Sequence, residues 1–208
     1  MIVLVDDHSS SVVNLDLSAL ILAGGKATRL GGIAKHEIVI DPVDGRTIFA
    51  RQVELLAPRV VEILVSSVTD IPGYRTVRDT VAGAGPLAGI AAGLSASRTD
   101  WLLVVAGDMP HITGDLLDRM IAEAEPQNVS PDGDLIGREL SAIGVRSGGL
   151  LEPLLCVLHR RALAAVERRL AAGRYKASGL LTDEGLRVTW IDAADPSALR
   201  NVNSPEDL

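Results

Sequence analysis

The sequence predicts an α/β fold in which a mostly parallel sheet is covered by helices. Three observations carry this. Apolar runs of strand length alternate with stretches of helical spacing through residues 17–125. One run, "DWLLVVAGDMP" (100–110), is almost continuously apolar, as a parallel strand buried on both faces must be. The 208 residues are 47% hydrophobic but only 2% aromatic, which suits one domain with an aliphatic core of Leu, Val, Ile and Ala.

In chain order, "SALILA" (18–23) is a strand that runs into Gly24-Gly25. "GRTIFARQVELLAP" (45–58) sets Ile48, Val53, Leu55 and Leu56 toward one side and is closed by Pro58, as a helix would be. "VVEILVSS" (60–67) and "YRTVRD" (74–79) are strands separated by the Pro72-Gly73 turn. "GPLAGIAAGLSAS" (85–97) is a small-residue helix with Pro86 in its first turn. After the central strand, "TGDLLDRMIAEAE" (113–125) is an amphipathic helix with Thr113 as its cap. The order to this point is β-α-β-β-α-β-α. "EPQNVSPDGD" (125–134) is a surface loop. "LSAIGVRS" and "RVTWIDA" are strands, and "HRRALAAVERRLAAG" (159–173) is a helix stopped by Gly173. The charges on that helix, Arg160, Arg161, Glu167, Arg168 and Arg169, read as a solvated face. Residues 1–16 are expected to be an extension and 17–208 a single domain.

Composition excludes several functions. A net charge of −7 gains nothing from the phosphate field of DNA or RNA, and scarce aromatics leave little to stack bases on. No apolar run approaches the roughly 18 residues of a membrane span, and the N-terminus lacks the basic start of a secretory signal. The single cysteine, Cys156, sits in the apolar "LEPLLCVL" and reads as a buried structural thiol in a reducing compartment. A cytoplasmic protein is expected.

Two features point to phosphate chemistry. Gly24-Gly25 follows a strand, and a turn without Cβ atoms can form an anion-binding concavity, with Lys26, Arg29 and Lys35 close behind in sequence. Neither the phosphate-loop pattern nor the dinucleotide fingerprint is present. Asp108 directly follows the central strand, so its carboxylate reaches the same sheet edge. There it suits Mg²⁺, which takes one or two carboxylates plus substrate phosphates, or it is a turn residue before Pro110.

"LAGGKATRLGGIAK" (22–35), "RDTVAGAGPLAGI" (78–90), "VVAGDMPHI" (104–112) and "NVNSPEDL" (201–208) together resemble the molybdenum cofactor guanylyltransferase family, in the family's order and across residues 17–208. The resemblance implies a three-layer Rossmann-like nucleotidyltransferase fold. It also implies transfer of GMP from GTP to the terminal phosphate of molybdopterin or the molybdenum cofactor, with release of pyrophosphate. Leu22, Ala23, Gly24 and Gly25 are then expected to hold the nucleotide through the backbone, and Arg29 and Lys35 to neutralise the triphosphate and the departing pyrophosphate. Asp108 is expected to hold Mg²⁺, with Asn203 completing the metal shell. Asp79 and Ser66 would contact the nucleotide. Gly85, Pro86 and Leu87 would shape the guanine pocket, and Asn201 and Asn203 would lie near the acceptor. A molybdoenzyme or carrier that receives the product is implied by family logic alone.

The chain departs from the family pattern in places. His36-Glu37 stands where relatives are apolar, and Ser66 stands where an Asn often meets the nucleotide. The sequence stops at Leu208, where relatives continue into a closing helix. His111 reads as a surface histidine. Three alternatives compete: a cytidylyltransferase for the same pterin, a nucleotidyltransferase for another phosphorylated acceptor, and a nucleotide-binding partner without chemistry. Gly24-Gly25 and "GPLAG" weigh against the first, and "GPLAG" with "NVN" against the second. The joint presence of Arg29, Lys35 and Asp108 weighs against the third.

Overall fold

The computed structural model describes residues 16–24, 37–41, 43–79, 81, 83–124, 128–129, 135–136, 140–202 and 207. Gly25, Lys26, Arg29, Lys35, His36, Asn203 and Ser204 lie outside the described residues, as does the extension at 1–15.

The elements follow in chain order. β1 (Leu17–Leu22) is followed by a small ribbon of β2 (Val39–Asp41) and β3 (Arg46–Thr47), then by helix α1 (Ile48–Leu56). Strands β4 (Glu62–Ser66) and β5 (Arg75–Val77) precede helix α2 (Pro86–Ala96), strand β6 (Trp101–Ala106) and helix α3 (Gly114–Ala124). A second ribbon pairs β7 (Asn128–Val129) with β8 (Leu135–Ile136) inside and just beyond the expected surface loop. β9 (Ala142–Ser147) and β10 (Leu150–His159) lead into helices α4 (Leu163–Ala171) and α5 (Ser178–Thr182), and β11 (Val188–Asp192) closes the sheet.

Seven strands form the sheet in the order β11-β9-β10-β6-β1-β4-β5. All run parallel to their neighbours except β10, which pairs antiparallel with both β6 and β9. β1 and β6 are covered on both faces, so alternate residues of β1 enter different cores. Leu17, Ala19 and Ile21 pack in the core that contains Leu56 of α1 and Leu116, Leu117 and Met120 of α3. Leu20 and Leu22 pack in the core of α2, α4 and α5. This period-2 division between two cores makes the fold three-layered. Small residues let α2 lie close to the sheet: a Cβ on Gly93 would fall 2.5 Å from Leu20 Cδ2.

The capping signals act as expected. Thr113 Oγ1 accepts from Leu116 N at 3.3 Å, Pro86 begins α2, and Gly173 ends α4 with a φ of +67°. Two expectations are corrected. In α1 the buried stripe is Ile48, Gln52 and Leu56, with Val53 and Leu55 only partly covered, because the helix spacing of four selects a stripe that includes a polar residue. On α4, Arg169 is not solvated. Its side chain is 3% exposed and lies 3.2 Å from Glu184, itself 5% exposed, while Arg174 and Arg168 reach the same carboxylate at 2.9 and 3.7 Å. A buried guanidinium needs such a partner.

Cys156 is fully buried in β10, and burial, with the nearby Glu152 carboxylate, pushes its thiol up to about 12. Among the described residues no helix is long and apolar enough to cross a membrane.

Candidate nucleotide-binding site

Parallel strands that share a direction deliver their carboxyl ends to one edge. Here β1 delivers Leu22 and Gly24, β4 delivers Ser66, β5 delivers Arg78 and Asp79, and β6 delivers Ala106 and Asp108. These residues line a cleft of about 800 Å³, together with Gly83, Gly85 and Pro86 at the start of α2 and Leu154 of β10. The volume lies in the range of small-molecule sites, and the polar groups converge within it. Gly85 has φ +64°, a conformation that favours glycine, and it turns the chain so that the N-terminus of α2 opens on the cleft. That end is the positive pole of the helix.

The strand ends approach one another closely. A Cβ on Gly107 would lie 2.8 Å from Leu22 O, and Gly107 N donates to that oxygen at 3.1 Å. Ser66, 4% exposed, donates through Oγ to Asp79 Oδ1 at 3.4 Å. Desolvation at the cleft wall holds the Asp79 carboxyl above its ordinary range, with the Ser66 hydroxyl pulling the other way. Arg78 is held over the rim by Val68 O and by Asp70 Oδ1.

The C-terminal segment meets the same edge. Val202 N donates to Asp108 O at 2.8 Å, which brings Asn201 to the side of Asp108. Asn201 also hydrogen-bonds the Glu152 carboxylate. Burial, and further along the Asp108 charge, push Glu152 up, while the N–H of Leu154 and the Asn201 amide oppose this. Asn201 Oδ1 is buried without a partner. The donors gathered there are hard oxygens, which fits Mg²⁺ better than a thiophilic metal. Among the described residues no group of three or more His, Cys, Asp or Glu forms a metal cluster.

Residues 19–188 match the family model described as MobA-like NTP transferase domain. The chain belongs to the MobA-like NTP transferase family. Among similar proteins, the molybdenum cofactor guanylyltransferase of Pseudomonas putida F1 is 32% identical over 198 residues, 92% of this chain and 95% of its own. That of Vibrio cholerae is 32% identical over 199 residues, 93% and 90% of the two chains. The structure of molybdopterin-guanine dinucleotide biosynthesis protein A from Archaeoglobus fulgidus superposes with a TM-score of 0.70 at 21% identity, covering 91% of this chain and 94% of that one. This MobA-like chain is therefore a nucleotidyltransferase with the three-layer fold its motifs implied.

Of the residues expected in this MobA-like site, the structure brings Leu22, Gly24, Ser66, Asp79, Gly85, Pro86 and Asp108 to one cleft and Asn201 beside it. Leu87 is fully buried in the core beneath α2, and Ala23 is 5% exposed and not among the cleft-lining residues. Glu37 and His111 are exposed. Sequence reading missed Glu152, Leu154 and Arg78. For the first two the signal was Pro153 inside an apolar run. Proline in a strand marks an edge or a bulge, and the β10–β9 register does shift between Glu152 and Cys156.

Proposed function

We propose that this protein transfers GMP from GTP to the terminal phosphate of molybdopterin or the molybdenum cofactor, in the cytoplasm, releasing pyrophosphate and forming the guanine dinucleotide cofactor. A molybdoenzyme or carrier takes the product. One observation carries the reading: Gly24, Ser66, Asp79, Gly85, Pro86 and Asp108 meet in one cleft. Relatives named molybdenum cofactor guanylyltransferase, 32% identical over nearly the whole chain, support it.

The reaction is an in-line displacement. An acceptor phosphate oxygen forms a bond to the α-phosphorus of GTP as the bond to the pyrophosphate oxygen breaks. No protein nucleophile is required, so the chain positions the reactants and balances charge. The backbone at Leu22, Gly24 and Gly25 and the N-terminus of α2 would hold the nucleotide; Asp79 and Ser66 would hydrogen-bond it. The described charged residues lining the cleft are one arginine, Arg78, against two aspartates, Asp79 and Asp108. A triphosphate therefore needs added positive charge, supplied by Arg29 and Lys35. Mg²⁺ would be held by Asp108 with Asn203, and when bound it neutralises phosphate oxygens. Asn201 and Asn203 would bind the acceptor.

The first test is calorimetric binding of GTP and of CTP, each with Mg²⁺. Preference for GTP is expected; preference for CTP, or binding of neither, overturns the reading. Asp108→Ala is expected to lower pyrophosphate release by about 10²–10³-fold while the thermal midpoint stays near wild type. Full activity of that variant at limiting Mg²⁺ would remove Asp108 from the metal site.

A further inference from the structure

The turn that carries Asp108 is held from behind by two adjacent residues of α1. Gln52 is 2% exposed, and its Nε2 donates to Ala106 O at 2.8 Å and to Met109 O at 3.3 Å. Those two carbonyls bracket Gly107 and Asp108. Arg51 extends the hold: Nε donates to Pro110 O at 2.6 Å and Nη2 to Ile112 O at 3.2 Å. From the other flank comes the Val202 N–H bond to Asp108 O. Main-chain oxygens are thus tied on both sides of the carboxylate.

The position of Gln52 is costly in one respect. Its stripe-mates Ile48 and Leu56 are apolar, and Gln52 Oε1 is buried with no partner. A buried unsatisfied oxygen opposes folding, and an aliphatic side chain would not carry one. The amide's contribution is to fix the turn between β6 and α3.

We propose that Gln52, assisted by Arg51, is a positioning residue of the transfer reaction. It holds the 106–109 turn so that the Asp108 carboxylate stands ready for a divalent cation before nucleotide arrives. The inference rests on the reading above that Asp108 holds Mg²⁺. Groups that orient a ligand without touching the metal act in this way, and their loss typically weakens metal affinity 10–100-fold.

The test measures thermodynamic coupling between Mg²⁺ and GTP. GTP affinity is determined by calorimetry with and without Mg²⁺ for wild type, Asp108→Ala, Gln52→Leu, Arg51→Met and Met120→Ala. Met120 is a fully buried residue of α3, so its variant is a core lesion that removes none of the hydrogen bonds to the turn. In Gln52→Leu the tightening of GTP by Mg²⁺ is expected to fall about tenfold. Its Mg²⁺-free GTP affinity should match wild type, and half-maximal transfer should require about tenfold more Mg²⁺. Met120→Ala should lose thermal stability and keep the coupling. Wild-type coupling in Gln52→Leu overturns the inference. If Gln52→Leu does not fold, Arg51→Met decides, and unchanged coupling there overturns it equally. Failure of the underlying reading looks different: wild type would show no Mg²⁺ coupling, or Asp108→Ala would retain it.

Discussion

His159, at the end of β10, shows how one side chain reports its surroundings. Its Nδ1 accepts from Arg161 Nε at 2.9 Å and from Arg161 N at 3.2 Å, a role that only an unprotonated nitrogen can fill. Burial first, then the Arg161 charge, hold the imidazole below its ordinary 6.5. The unfolded chain therefore takes up this proton first as pH falls. The contribution of His159 to stability is complete above pH 6.5 and is lost as pH drops from there through the native value. The ring meets Trp101 edge-on, with centroids 4.9 Å apart and an interplanar angle of 89°. In a Trp190→Phe background, Trp101 emission should titrate with a midpoint below pH 6.5. The titration should vanish in His159→Gln; a midpoint at or above 6.5 would contradict the assigned environment.

Elements rather than residues determine how the cleft is shaped, and the approach of β6 to β1 is the tightest example. Gly107→Ala would force Leu22 O or the Asp108 turn to move, because the obstructing atom is backbone. The expected cost is about 1–3 kcal/mol of stability, read from urea unfolding, with weaker GTP binding by calorimetry. Unchanged values for both would mean that the strand ends are less closely apposed. The elements read correctly from sequence include β1, α1, β4, β5, α2, β6, α3, β9 and β11, whose local patterns survive tertiary packing. β10 was not visible because Pro153 breaks the strand pattern, yet the bulge is what sets Glu152 beside Asn201. In α1, residue type alone points the apolar side chains at the core, whereas the helix geometry buries Gln52. Strand-end site residues were legible because parallel topology brings them together. Residues that support the site from other elements carry no local motif.

Across the whole molecule, the C-terminal half depends on charge as well as on apolar packing. Arg169 in α4 bonds Lys176 O at 3.0 Å and lies against Asp183 and Glu184, linking the helix to the segment on either side of α5. Glu184→Ala leaves the buried guanidinium under-compensated and should cost about 3–5 kcal/mol in urea unfolding. The double variant Arg169→Met with Glu184→Leu should recover most of that loss. A Glu184→Ala protein as stable as wild type would show that Asp183 and the Lys176 carbonyl suffice. In sequence Arg169 reads as part of a solvated face, since spacing along one helix cannot reveal a carboxylate supplied 15 residues later.

The lone sulfhydryl at the centre of the sheet has a practical consequence. Held protonated in the core that contains α2, α4 and α5, Cys156 should ignore alkylating reagents and oxidants while the protein is folded. The native chain is then a chemically silent background. A single cysteine introduced on the cleft rim at the exposed Val68 would be the one reactive handle for a dye or spin label, and the onset of Cys156 alkylation would itself clock global unfolding.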